Sequence, residues 1–320
     1  MKPIFLFSLP RSGSTLLQRI LMRHEKIGTT PEPWILIPFL QIFRNQGVVS
    51  DYSQKTLLQG THEFIETLPH KRDDYFSAIR PATDELYKKH LSNNESYFLD
   101  KTPRYYLFIE EIAQLYPDAK FIFLFRDPLQ ILSSIIQTWG NGRLHKLFAS
   151  EIDIYQGPQS LLNGYKKLQS SSFLVTYNDL ISTPEKTLQD LMNYLELDWQ
   201  TDLMDDGPLR SLDGFLGDAI GEKEYSNISK TPQEKWKKTF NTAIRQKLAK
   251  EYIKSIPDEF FDILELSKQK CLEALQSAEI SNTKIIQDFF DLMYSKAARS
   301  YKLNIFFSKN YKWEKTHYLD

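Results

Sequence analysis

Residues Ile4 to Leu21 read IFLFSLPRSGSTLLQRIL, and this stretch decides how the rest of the chain is interpreted. Its first four residues form a continuous apolar run, which is typical of a strand buried on both faces of a parallel sheet. Pro10 to Ser14 then interrupt the pattern with proline, glycine and small hydroxyl side chains. From Thr15 the apolar residues recur at helical spacing, so the stretch predicts a strand, a short loop and the start of a helix.

The predicted loop has the properties of an anion site. Free backbone N–H groups project from the first turn of a helix, and the helix dipole favours negative charge there. Ser12, Ser14 and Thr15 add hydroxyl groups, and Arg11 adds a cation whose planar fork suits an oxyanion. The loop is of the P-loop type but lacks the Gly-Lys-Ser/Thr ending of a Walker A loop, since Gly13 is followed by Ser14. The alternative is a structural corner in which these residues only cap the helix.

The composition is that of an ordinary soluble globular protein. Its 320 residues are 41% hydrophobic and 25% charged, which suits one large α/β domain or two small ones. A net charge of −1 favours neither nucleic acid nor an anionic membrane as a partner. The single Cys271 excludes an intrachain disulfide and a cysteine-based zinc site. The first apolar run is too short to cross a membrane and begins too early to follow a removable signal peptide, so we expect a cytoplasmic protein.

Apolar runs that end in polar loops recur along the chain. Further strands are predicted near 27–30, from 96 running into a loop at 100–103, near 119–125 and near 172–177. Helices are predicted near 104–116, 129–139, 157–170 and 184–195. Thr183 is a credible N-cap for the last of these helices, with Pro184 at its first position. The repeated strand–loop–helix order predicts an α/β fold with a P-loop-type, mainly parallel sheet flanked by helices. We expect one domain with a core of about 1–240, a helical insertion of about 34–95 and a helical C-terminal extension of about 241–320.

Charged residues follow three of the predicted strands. In a parallel sheet such loops gather at the carboxyl edge, so Lys101 is expected on the same edge as the first loop. Arg126 ends another strand, and Ser134 lies eight residues later in the next helix, a spacing that lets both reach one phosphate. Glu32 lies between two prolines, in a stiff segment that can aim a carboxylate as a general base. The alternative for Glu32 is a solvated loop residue. The alternative for Arg126 is a salt bridge to a nearby carboxylate.

These residues carry a resemblance to the sulfotransferases that use 3′-phosphoadenosine 5′-phosphosulfate (PAPS), over most of residues 3–240. PRSGSTLL resembles the family's 5′-phosphosulfate loop, and FLFRDPLQILSS resembles its 3′-phosphate element. LVTYNDL resembles a Tyr-x-Asp-Leu segment of the family, and DKTPRYY resembles the segment whose Lys assists transfer in Golgi-type and bacterial members. Glu32 stands where the tyrosylprotein branch has its catalytic Glu. In the first loop, where the cytosolic branch has Lys, this chain has Arg11.

The resemblance implies a function and assigns roles. Glu32, Lys101 and Arg11 are the implied catalytic residues, and PAPS is the implied donor, with no metal required. The implied PAPS-binding residues are Arg11, Ser12, Gly13, Ser14, Thr15, Arg126, Ser134, Tyr177 and, in the loop-like segment 205–232, Lys230. The aromatic insertion favours a small alcohol or phenol as the acceptor, while a peptide tyrosine or a sugar hydroxyl stays open.

Two other functions remain open from the sequence. A P-loop nucleotide kinase or hydrolase would share the anion loop, although the missing Gly-Lys-Ser/Thr ending counts against it. A non-catalytic nucleotide- or partner-binding module is also compatible with the aromatic, basic tail of residues 305–320. If Glu32 is not the base, His62 in the insertion is the next candidate.

Overall fold

The computed structural model describes residues 1–44, 53–92, 94–205, 235–281 and 283–301. In these ranges five strands form one sheet: β1 (Lys2–Ser8), β2 (Ile27–Thr29), β3 (Tyr97–Asp100), β4 (Lys120–Phe125) and β5 (Ser172–Thr176). The strand order is β2-β3-β1-β4-β5, and every neighbouring pair is parallel. The predicted α/β fold with a mainly parallel sheet is therefore confirmed.

Helices surround the sheet. Those before β4 are α1 (Ser14–Leu21), α2 (Ile37–Leu40), α3 (Gln54–Glu66), α4 (Arg72–His90) and α5 (Ile109–Leu115). The next group comprises α6 (Pro128–Thr138), α7 (Gly157–Leu168), α8 (Tyr177–Ser182) and α9 (Pro184–Leu195). The last described group comprises α10 (Lys235–Thr239), α11 (Ala243–Ser255), α12 (Asp258–Ile263), α13 (Lys268–Gln276) and α14 (Ile285–Ser300). Short 3₁₀ turns cover Gln41–Phe43, Tyr105–Leu107, Leu147–Ser150, Gln169–Ser171 and Thr201–Met204, and Ile152–Gln156 form a π-helical turn.

The continuous apolar run of β1 is explained by burial on both sheet faces. Phe5 and Phe7 point to one face, where their rings stack 6.3 Å apart and meet the aromatic side chains of β4. Ile4 and Leu6 point to the other face, in a cluster with apolar residues of α1, α8 and α9. All four side chains are almost completely buried, so β1 is a central strand whose carboxyl end is held firmly.

Three local predictions need correction. Tyr177 was expected to end a strand, but it begins α8, because Thr176 ends β5 and caps the helix by accepting from the Asp179 N–H. Thr183 lies at the N-cap position of α9, yet its side chain does not cap the helix and instead donates to the Asp179 carbonyl. The helix predicted over 104–116 is a 3₁₀ turn followed by α5.

The division of the chain into a core, an insertion and a C-terminal extension stays a prediction, and the described helices of the last two parts are as follows. Helices α2, α3 and α4 lie between β2 and β3, and α11 to α14 follow residue 241. None of the helices in the described ranges is long and apolar enough to cross a membrane.

The register of the sheet fixes where the site is built. Phe5 of β1 pairs with Asp100, the last residue of β3, and Ser8 pairs with Leu124 near the end of β4. The loop after β1 therefore lies between the loop that follows β3 and the loop that follows β4, at the carboxyl edge where ligands of parallel sheets bind.

Candidate functional site

The loop between β1 and α1 has an unusual backbone. Arg11 (φ 67°) and Gly13 (φ 95°) both have positive φ, and Gly13 occupies the N-cap position of α1. A Cβ on Gly13 would lie 2.5 Å from Cδ2 of Tyr177, so the ring of Tyr177 fits only because this residue is glycine. No side chain caps α1 and no acidic residue lies in its first turn. The helix N-terminus therefore keeps the properties of an anion site.

Ser12 is fully buried at the centre of this loop. Its Oγ has no hydrogen-bond partner among the described residues, while its backbone N–H donates to the Leu9 carbonyl. A buried hydroxyl without a partner is costly and rare in proteins. This orphaned donor, beside a helix N-terminus and Arg11, fits a site for a phosphate or sulfate group.

Arg11, Arg126, Ser134 and Tyr177 form a contact cluster, referred to below as the arginine cluster. The Nε of Arg11 donates to Ser134 Oγ at 3.1 Å, and Nη1 of Arg126 donates to the Arg11 carbonyl at 2.9 Å. The Arg126 guanidinium also lies 4.0 Å from the ring centroid of Tyr177 and donates to Gln130. Arg126 and Ser134 therefore each contact Arg11, which joins the first loop to the β4–α6 loop, and their convergence on one phosphate stays a prediction.

Glu32 and Lys101 form a nearly buried ion pair at the same sheet edge. Nζ of Lys101 donates to Glu32 Oε1 at 2.9 Å, with side-chain exposures of 5% for Lys101 and 15% for Glu32. The indole Nε1 of Trp34 donates to the other carboxylate oxygen at 3.2 Å. Two residues that the sequence proposed separately, 69 positions apart, are therefore in direct contact.

Gln18 of α1 fixes the chain segment that leads to Glu32. Its side-chain Nε2 donates to Thr29 Oγ1 and to the Thr30 carbonyl, each at 2.8 Å. Gln18 is fully buried, so these bonds are shielded from water. The anion loop and the Glu32 segment are consequently held by the same helix.

Three residues of this region were not predicted from the sequence: Gln18, Trp34 and Asp100. Asp100 is fully buried at the end of β3, and its carboxylate accepts from the hydroxyl groups of Tyr87, Thr102 and Tyr105. Burial raises the pKa of Asp100 to about 6, although these hydrogen bonds act in the opposite direction. One signal was available in the sequence: a carboxylate at the end of the apolar run YFLD requires hydrogen-bond donors wherever it is buried.

The remaining predicted residues are placed as follows. Ser14 begins α1 and Thr15 follows it, both half-buried. His62 lies on an exposed part of α3, where a ring nitrogen is 2.8 Å from the Ile42 carbonyl oxygen. Lys230 lies outside the described residues. Within the described ranges, no group of three or more His, Cys, Asp or Glu side chains is arranged to hold a metal ion.

Several known proteins are similar to this chain. The chain is 34% identical over 137 residues to Nodulation protein NoeE of Sinorhizobium fredii, covering 42% of this chain and 31% of NoeE. It is 23% identical over 209 residues to the Protein-tyrosine sulfotransferase of Drosophila melanogaster, covering 61% of this chain and 38% of that protein. The chain thus spans about a third of the length of each of these relatives.

A solved structure and a family model are also similar to this chain. The solved sulfotransferase domain from the curacin biosynthetic pathway has a TM-score of 0.51 at 21% identity, covering 83% of this chain and 98% of that domain, which shows a shared fold. The family model described as "Sulfotransferase family" matches residues 3–201, well over half of the 320 residues. The chain belongs to the Sulfotransferase family.

Proposed function

We propose that this chain transfers the sulfonyl group of PAPS to a hydroxyl acceptor. One observation carries the proposal: an anion loop with an orphaned buried hydroxyl lies at the same sheet edge as the arginine cluster and the buried Lys101–Glu32 pair. Family membership supports sulfonyl transfer, and the residues specify how this chain would perform it.

The loop and the arginine cluster fit the two charged ends of such a donor. Ser12, Gly13, Ser14 and Thr15 would hold the 5′ end through hydroxyl and backbone N–H groups at the start of α1. Arg126 and Ser134 would hold the 3′-phosphate, next to Arg11, while Tyr177 packs against Gly13 and Arg126. Lys230 is the further contact proposed from outside the described residues.

The Lys101–Glu32 pair supplies the two functions that a transfer to a hydroxyl requires. When bound, PAPS supplies an activated sulfonyl group whose transfer passes through a loose transition state, as phosphoryl transfer does. Lys101, Arg11 and the N–H groups of the loop stabilise the negative charge that grows on the leaving oxygen. Glu32 accepts the proton of the acceptor hydroxyl as that oxygen forms its new bond to sulfur. Because fixed cations and N–H groups perform the stabilisation, we propose that no metal takes part.

A small alcohol or phenol is the proposed acceptor class. The Drosophila relative is named for protein tyrosine, whose side-chain hydroxyl is a phenol, and this supports a phenolic acceptor for the present chain. A peptide tyrosine and a sugar hydroxyl are the acceptors to be compared with it.

The proposal is tested by following which group is transferred. The protein is incubated with sulfur-labelled PAPS, and separately with ATP labelled in its terminal phosphate plus Mg²⁺, over a panel of phenols, alcohols, tyrosine peptides and sugars. We expect a labelled sulfate ester with PAPS in EDTA and no labelled phosphate ester with ATP. A labelled phosphate ester from ATP, or ATP hydrolysis that depends on Mg²⁺, would replace the proposal with a kinase or hydrolase.

A further inference from the structure

We propose that Asp100 is a positioning residue for the reaction: through Thr102 and Tyr105 its buried carboxylate holds the backbone that carries Glu32. This inference rests on the proposed function, because Glu32 and Lys101 are the groups being positioned. Asp100 immediately precedes Lys101, so one strand end would both present the cation and anchor the segment that presents the base.

Three hydroxyl groups converge on the Asp100 carboxylate. Tyr87 donates to Oδ2 at 2.6 Å and Tyr105 donates to the same oxygen at 3.0 Å, while Thr102 donates to Oδ1 at 2.8 Å. All four residues are buried. A fully buried carboxylate requires such donors, and their number explains how the charge is tolerated inside the protein.

Two of the three hydroxyl groups extend this hold to the Glu32 segment. An ionised carboxylate only accepts, so it turns each hydroxyl proton towards itself and leaves the hydroxyl lone pairs free to accept elsewhere. Thr102 Oγ1 accepts from the backbone N–H of Trp34 at 3.2 Å, and Tyr105 accepts from the backbone N–H of Leu36 at 3.4 Å. The Thr102 relay is the shorter one, and we expect it to be the stronger.

The hydrogen bonds to Thr102 and Tyr105 stabilise a backbone segment that has an unfavourable conformation at Trp34. Trp34 has a φ of 58°, a left-handed conformation that is unfavourable for a bulky residue. The same Trp34 donates from its indole to Glu32, two positions earlier. The Thr102 bond thus fixes the residue that orients the Glu32 carboxylate.

Tyr87 provides a matched control within the same cluster. Its hydroxyl donates to the same Asp100 oxygen as that of Tyr105, and both rings are almost completely buried. Tyr87 belongs to α4, and its hydroxyl makes no described contact with residues 32–36. Removal of the Tyr87 hydroxyl therefore weakens the carboxylate cluster without cutting a relay.

The test compares Thr102→Val, Tyr105→Phe and Tyr87→Phe, with Thr102→Ser as the conservative rescue. We expect Thr102→Val to lower kcat about 10- to 100-fold through misplacement of Glu32, with PAP affinity unchanged. Tyr105→Phe should lower kcat by less, while Tyr87→Phe should lose stability comparable to Tyr105→Phe but keep the wild-type kcat. Thr102→Ser should restore turnover. The fluorescence of Trp34, read as the difference from a Trp34→Phe background, should shift in Thr102→Val and stay unchanged in Tyr87→Phe.

The outcomes separate this inference from the proposed function. The positioning role would be overturned if Tyr87→Phe and Tyr105→Phe lost kcat equally. It would also be overturned if Thr102→Val kept the wild-type kcat and the wild-type Trp34 emission. In both cases the wild-type protein would remain an active sulfotransferase. Failure of the wild-type protein to bind PAP and to transfer sulfonate would refute the proposed function itself. The Trp34 shift in Thr102→Val would then still report the backbone anchor, since it needs no turnover.

Discussion

Two buried ion pairs in this protein have the same charge chemistry and different surroundings. Arg245 and Asp288 link α11 to α14, with side-chain exposures of 4% and 0%, and the pair is bidentate at 2.8 Å for both contacts. Thr242 adds a further donor to Asp288, while Arg245 also donates to the carbonyls of Thr239 and Gly142. Lys101 and Glu32 are comparably shielded, but only Trp34 joins them in the described part of the chain.

This difference distinguishes a structural pair from the pair that we propose to be catalytic. Each guanidinium nitrogen of Arg245 and both carboxylate oxygens of Asp288 have a protein partner, so the pair holds α11 and α14 together. The Lys101 ammonium has three N–H donors, and its contact in the described residues is to Glu32. Within the described ranges, the other Lys101 donors have no protein partner, and they lie at the sheet edge of the anion loop.

Substitution of Glu32 should have the largest effect on turnover. Glu32→Gln keeps the shape and one acceptor oxygen for Lys101 but cannot take a proton, so we expect kcat to fall about 10²–10⁴-fold. PAP affinity should hardly change, because the carboxylate does not belong to the arginine cluster. Trp34→Phe removes the indole hydrogen bond but keeps the carboxylate, so it should lower kcat less than Glu32→Gln does. Glu32→Gln activity close to the wild type would assign the base elsewhere, with His62 as the next residue to test.

Substitution of Arg245 should have the largest effect on stability. Arg245→Ala leaves Asp288 buried without its partner, so we expect a loss of about 3–5 kcal/mol in unfolding free energy with the kcat of the folded fraction unchanged. Denaturant unfolding measures the free energy of unfolding. Turnover at saturating substrate, divided by the fraction of folded protein, measures kcat. Arg143→Ala, at a pair with Asp291 in which the arginine is half exposed, should cost less. A catalytic defect in folded Arg245→Ala protein would remove the distinction between the two pairs.

Lys101 should affect catalysis more than binding. Lys101→Ala removes a donor that acts as charge develops in the transition state, so kcat should fall roughly 10²–10³-fold with a smaller change in PAP affinity. Lys120→Ala is the matched control. Lys120 starts β4, so it lies at the edge of the sheet opposite to Lys101, and it pairs with Glu196. Near-normal turnover in Lys101→Ala, or an equal loss in Lys120→Ala, would assign Lys101 to structure.

The pH dependence of stability should reveal Asp100, with a smaller effect than the substitutions above. The folded-state pKa of about 6 is raised above the usual value of 3.8, so the folded protein binds the proton more tightly than the unfolded chain does. The stabilisation linked to this proton is complete below about pH 3.8 and is lost as pH rises through about 6. The groups that face the carboxyl are Tyr87 from α4, Tyr105 from the 3₁₀ turn, and Thr102 and Lys101 from its own loop.

The measurement for Asp100 is the unfolding free energy of the wild type and of Asp100→Asn across this pH range. The wild type should lose stability relative to Asp100→Asn between pH 4 and pH 7, because only the wild type must bury a charge at the higher pH. Parallel pH profiles for the two proteins would show that Asp100 does not titrate in the folded state.

The parts of this fold that the sequence predicts best depend on local chemistry. The run Ile4–Phe7 followed by small polar residues predicted β1, its loop and α1, because burial on both faces and a helix N-terminus each leave a local signature. The parallel sheet followed from the repeated strand–loop–helix order. Because loops that follow parallel strands gather at the carboxyl edge, the sequence also predicted Lys101 and Arg126 at that edge, and the strand order of the structure puts them on either side of the first loop.

The parts that it missed depend on contacts between distant residues. Tyr87 lies on α4, in the insertion, and nothing near it in the sequence indicates that its hydroxyl reaches Asp100. Trp34 was taken as the first residue of a helical segment, whereas its positive φ is stabilised through Thr102, which is 68 positions away. The Thr183 cap of α9 was expected from residue type alone, but the Thr183 side chain does not cap that helix and donates to the Asp179 carbonyl instead.

Calorimetric titration with PAP and with ADP, in EDTA, tests the central claim most directly, because it needs no knowledge of the acceptor. The two ligands differ in their phosphate positions, and Arg126 with Ser134 is proposed to hold the 3′-phosphate. We expect PAP to bind much more tightly than ADP, and Arg126→Ala to cost about 2–4 kcal/mol of PAP affinity with little change for ADP. Equal affinity of the wild-type protein for PAP and ADP, or tight ADP or ATP binding that requires Mg²⁺, would contradict the account.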